Sequence, residues 1–192
     1  MNRYKKIVLM LLVSLIPIAL ANSLEFKGTK GAIVFVERYQ NWAWGYQNNG
    51  SFIDCRGNVY EFDCSDRKTA MSKEEFQQFL WEIYCNTKPV RRKICDSRKL
   101  LKILKEDAYK IDRKAPYSSE FAAFDAGQRT LFVCDADFEL IELRSFGNME
   151  EKLQDGTAEK LCDYYDEITR PYYNNIAKRY FYKIKEFFEE IF

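Results

Sequence analysis

The sequence predicts an α+β domain of two antiparallel β-meanders, about six strands in all, packed with about four helices and stabilised by disulfides. Three observations predict it. Strand-type runs fall into two groups, each punctuated by turn residues. Each group is followed by segments whose apolar residues recur every three or four positions. Six cysteines lie downstream of a leader-like N-terminus, and an oxidising compartment favours bridges among them.

The leader comes first in the chain. Arg3, Lys5 and Lys6 precede an apolar run from Ile7 to Ala21 that is interrupted only by Ser14 and Pro17, and Ala19 and Ala21 form a small-x-small cleavage pattern. Residues 1–21 read as a signal peptide, and the run is too short for the roughly 20 residues of a spanning helix. The expectation is a secreted or periplasmic protein with no stable membrane insertion after cleavage. The mature chain, residues 22–192, suits a single domain with its own core.

In the mature chain, Ala32 to Val36 is a continuous β-branched and aromatic run that predicts a buried strand continuing toward Trp44. Asn49-Gly50 suits a tight hairpin turn, since both central residues of that turn take positive φ. Gly57-Asn58 marks a second turn. Phe52 to Cys55 and Val59 to Cys64 complete a three-stranded meander. Ser72 with Glu75 forms a capping box that opens a helix through Phe76, Phe79, Leu80 and Ile83. Asp96 caps a second helix whose stripe is Leu100, Leu101, Leu104, Ala108 and Ile111. Strand signals return at Glu120 to Phe124, Arg129 to Cys134 and Phe138 to Phe146. A third helix is expected through Leu161 to Ile168. A fourth, amphipathic one is expected over about 171–192, with Pro171 in its first turn.

All six cysteines, Cys55, Cys64, Cys85, Cys95, Cys134 and Cys162, are disulfide candidates. Cys85 and Cys95 end one predicted helix and precede the next, so a bridge between them is expected first. With Arg56-Gly57 as the loop, Cys55 faces Asn58 near the turn while Cys64 lies at the far end of the next strand, about 20 Å away at the rise of an extended strand, so each needs a partner elsewhere. No C-x-x-C occurs, and no cofactor or metal is expected.

The functional exclusions start from composition. The chain has no His at all, which removes Ser-His-Asp and Cys-His catalysis, His-ligated zinc and His-ligated haem. Carboxylates remain for acid–base work: Asp54, Glu61, Asp63, Asp135, Asp137 and Glu139, none at diagnostic spacing. Asp135-x-Asp137-x-Glu139 begins like a calcium loop, but Leu140 and Phe146 stand where that loop needs Gly and Glu. Eleven basic and four acidic residues lie between Lys88 and Lys114, and eleven acidic and three basic between Asp135 and Glu167. The basic stretch reads as a solvated helix face that can meet the acidic one, and no nucleic-acid partner is expected.

The positive signal is aromatic. Phe, Tyr and Trp make up 16% of the chain, and Trp42, Trp44 and Tyr46 would share one face of an extended segment, where they could stack on a sugar ring or a peptide. The expectation is a secreted, non-enzymatic module that recognises a protein, peptide or glycan through this face. The alternative is a carboxylate-dependent glycoside hydrolase acting on an extracellular or cell-wall polysaccharide. A third reading has the last predicted helix resting on a membrane surface.

Overall fold

The structure is a computed structural model that describes residues 32–42, 45–66, 70–121, 127–147 and 149–171. Its centre is one seven-stranded sheet, antiparallel throughout, in place of two separate meanders. The strands are β1 (Ile33–Asn41), β2 (Gln47–Asp54), β3 (Val59–Asp63), β4 (Tyr117–Phe121), β5 (Gln128–Cys134), β6 (Leu140–Gly147) and β7 (Met149–Leu153), in the spatial order β3-β2-β1-β5-β6-β7-β4. The expected N-terminal three-strand group is present. It is joined to the second group because β1 pairs along its length with β5, from Phe35 opposite Val133 to Gln40 opposite Gln128. The strand β7 had no period-2 apolar signal in the sequence, and β4 pairs with it rather than with β5.

The described helices are three, not four: α1 (Lys73–Asn86), α2 (Ser97–Lys102) and α3, residues 156–171. The capping box at Ser72 and Glu75 forms as expected, and Asp96 accepts from the Arg98 N–H at the start of α2. Beyond Lys102 the helix widens into a π turn over Ile103–Asp107 and tightens into a 3₁₀ turn over Ala108–Lys110. Lys102 and Lys110 both reach Asp107 there, at 3.2 and 2.7 Å. Asp155 caps α3 by accepting from Thr157 and Ala158. This helix runs on through Pro171 instead of stopping near Ile168. No Gly supplies a stop there, and the Thr169 hydroxyl bonds back to the Tyr165 carbonyl inside the helix. The helix expected over about 171–192 lies outside the described residues beyond Pro171, as does the signal peptide of residues 1–21.

Pairing register sorts the side chains onto two faces. Val36, Arg38, Phe52, Tyr60 and Phe62 share one, and α1 packs there through Phe76 and Phe79 on Phe62 (ring centroids 5.6 and 6.0 Å) and Tyr84 on Tyr60 (5.5 Å). Phe35, Ile53 and Val133 share the other, where Tyr164 and Tyr165 of α3 meet Phe35 at 6.4 and 5.4 Å. Cover on both faces explains why Ala32 to Val36 reads as an unbroken apolar run, and each of these five residues is fully buried.

The same layering overturns the disulfide expectation. Between α1 and α2 the chain runs along the edge of β3, with Val90 donating to the Val59 carbonyl and Ile94 to that of Gly57. It passes from the α1 side to the α3 side, where Cys95 hydrogen-bonds Tyr164. Cys85 stays exposed on α1, so the short connection separates the two thiols. None of the six cysteines is in a disulfide, and Cys55, Cys64, Cys134 and Cys162 are buried as free thiols.

Two hairpin turns share one design. In Asp54–Asn58 and Asp135–Glu139 the leading carboxylate accepts from the N–H groups two and four residues on, and the fourth residue takes positive φ, Gly57 at 78° and Phe138 at 65°. Asn49-Gly50 forms no turn. Both residues lie within β2, where a Cβ on Gly50 would stand 2.0 Å from the Glu37 carbonyl oxygen. Glycine at this position serves close strand approach.

Candidate ligand-binding site at the first hairpin

The strand β1 ends at Asn41 and β2 begins at Gln47, so Trp42 and Tyr46 stand at the two ends of the first hairpin connection. The chain reverses with Gly45 at φ 104°, where a side chain would meet only open space but the backbone would be strained. Trp42 and Tyr46 are brought together across the loop with ring centroids 4.2 Å apart and planes tilted by 36°. Trp42 is 57% exposed. Trp44, the third expected member, lies outside the described residues.

A hydrogen-bond chain fixes the inner ring. The Tyr46 hydroxyl accepts from the Asn48 amide nitrogen at 2.8 Å, and the Asn48 amide oxygen accepts from Arg38 Nε at 2.8 Å. Asn48 is fully buried and is held by Ser65, which accepts from its backbone N–H, and by Cys64 Sγ, which donates to its carbonyl at 3.1 Å. Arg38 also hydrogen-bonds Tyr46, and its guanidinium lies 4.1 Å from the centroid of the Phe76 ring on α1. Burial pulls its pKa below the ordinary arginine value, while Tyr46 and Cys64 act in the opposite direction. Its Nη2 is buried and makes no hydrogen bond.

Arg38 and Asn48 are the site residues that sequence reasoning missed. The signal was present: Arg38 follows Val36 on the α1-facing side of β1, an inward position that a charge occupies only with a purpose or a partner. Amide residues occupy the strand ends next to this loop. Gln40 lies opposite both Asn48 and Gln128, and Asn41 lies opposite Gln47.

The carboxylates expected to carry chemistry are dispersed. Asp54 and Asp135 spend their oxygens on the two turns, Asp135 also accepting from Arg113 at 2.6 Å. That ion pair, with Tyr109 donating to Asp137, is where the basic and acidic segments meet. Glu61 and Asp63 are exposed on β3. The structure instead joins Glu142 and Glu151 through Ser145, which bonds both, and burial followed by the charge of Glu151 pushes the Glu142 carboxyl up. A cleft of about 300 Å³ lies between β6, β7 and α3, with Cys162 among its lining residues. Burial pushes that thiol up to about 11, which keeps it out of the reactive thiolate form. Among the described residues no three Cys, Asp or Glu side chains converge to hold a metal, and no helix is long and apolar enough to cross a membrane.

Compared with known protein families, curated proteins and solved structures, the chain has no significant match.

Proposed function

We propose that this protein is an exported, non-enzymatic module that binds a glycan through the Trp42–Tyr46 hairpin tip. One observation carries the reading: an exposed indole stacked on a tyrosine whose hydroxyl is braced from within the sheet. Burying an aromatic ring on a ligand contributes strongly to affinity, and a ring held in place beforehand loses little entropy on binding. The surrounding amides favour a sugar over an apolar peptide. The accessible ones are Gln40, Gln47 and Gln128, and a carboxamide carries a donor and an acceptor side by side, which suits hydroxyls that are themselves both. Export rests on the leader pattern of residues 1–21.

The test is tryptophan fluorescence and calorimetry of the mature protein against soluble neutral and acidic oligosaccharides, with Trp42→Ala as the variant. Binding that weakens at least tenfold in Trp42→Ala, at unchanged melting temperature, supports the reading. Equal binding by the variant, or no binding to any oligosaccharide, overturns it.

A further inference from the structure

We propose that Arg38 is the anion-recognition residue of this site, and that the glycan bound there carries a carboxylate, as an acidic sugar does. This inference rests on the reading of the hairpin tip as a glycan site and adds the ligand's charge to it.

The argument begins with donors. A guanidinium has five N–H groups and stays charged at any physiological pH. In Arg38, Nε is taken by Asn48 and one further contact goes to Tyr46, whereas Nη2 has no acceptor although the residue is only 9% exposed. Among the described residues no carboxylate is paired with it. The neighbouring acid on β1, Glu37, points to the opposite face and lies 3.7 Å from Arg129. Across the sheet Arg38 is flanked by Gly50 and Thr130, and from α1 it meets the Phe76 ring. A buried, unpaired cation is costly, and an apolar residue of similar volume would serve the core at least as well. The stacking on Phe76 offsets part of that cost but supplies no acceptor.

Geometry then ties this cation to the surface. Arg38 touches Tyr46 directly, and Tyr46 is the inner ring of the stack that Trp42 exposes. A ligand ring settling on Trp42 is therefore one side chain away from an unfilled guanidinium donor. With Tyr46 left in place, Nη2 would still offer the carboxylate of that ligand a charge-assisted hydrogen bond.

The experiment uses the full mature protein and three soluble probes: a uronate oligosaccharide, its neutral methyl ester, and a short peptide ending in a free carboxylate. On the wild type the uronate is expected to bind at least tenfold tighter than the ester. In Arg38→Met that preference disappears: uronate and ester bind equally, whatever the variant's absolute affinity for the ester. If Arg38→Met fails to fold, Arg38→Lys keeps the charge without the fork and is expected to lose most of the preference. Equal binding of uronate and ester by the wild type, both dependent on Trp42, refutes the role of Arg38 and leaves the glycan reading standing. A preference that survives in the Arg38 variants also refutes it. Arg38-dependent binding of the peptide in place of the uronate refutes the acidic sugar, and no binding of either sugar refutes the glycan reading itself.

Discussion

Replacing Asp135 with alanine tests the hairpin design on which the centre of the sheet depends. The carboxylate is almost fully buried and accepts from the N–H groups of Asp137 at 3.0 Å and Glu139 at 2.9 Å, and from Arg113 at 2.6 Å. It also holds Phe138 at φ 65°, a conformation that costs a non-glycine residue about 1–2 kcal/mol. Each orphaned N–H costs roughly 1–3 kcal/mol when buried, with the low end applying here because Ala136 and Asp137 are exposed and water can reach the turn. The Arg113 pair adds less than about 1 kcal/mol, since the guanidinium is half exposed. The expected total for Asp135→Ala is about 3 kcal/mol, or a fall in Tm of roughly 6–12 °C for a domain of this size. Urea and thermal unfolding followed by circular dichroism measure it. Asp135→Asn keeps one acceptor oxygen and should lose about half as much, and Arg113→Ala under about 1 kcal/mol. If Arg113→Ala costs as much as Asp135→Ala, the ion pair and not the turn is what stabilises, and the reasoning fails.

Two further predictions follow from burial. A thiol reagent applied to the native protein should modify Cys85 first and Cys134, the most deeply buried, only on unfolding, with six thiols titrating in denaturant without reductant; fewer than six would reveal a bridge. Glu142 holds its proton more tightly in the folded state than in the unfolded chain, so the stability it contributes is complete below its unfolded pKa and is lost as pH rises through the raised folded value. Glu142→Gln should therefore be more stable than wild type at pH 7, by less than about 1 kcal/mol after solvent screening, with the gap closing near pH 4. A destabilised variant at pH 7 would show that its bond to Ser145 outweighs desolvation.

Local chemistry was legible in the sequence wherever one segment decides the outcome. The capping box at Ser72 and Glu75, the Asp96 cap, the turn at Gly57 and the buried run Ala32 to Val36 all depend on neighbours within a few residues. Asn49-Gly50 carried an equally strong local turn signal, but its glycine answers a contact with Glu37 on the adjacent strand, which no local rule detects. The same limit applied to the cysteines: ten residues separate Cys85 from Cys95, yet the path around the edge of β3 places them on opposite sides of the sheet.

The candidate site divides along the same line. Sequence alone determined which side chains were available, namely an aromatic cluster at Trp42 to Tyr46 and no imidazole anywhere. Only the tertiary structure decided that Trp42 stacks on Tyr46 across a loop, that Asn48 braces that ring, and that Arg38 lies beneath it with a donor unfilled. The physical reason is separation along the chain. Arg38 is 10 residues from Asn48 and 38 from Phe76 in sequence, and such partners are chosen by strand register and by the helix that covers the face.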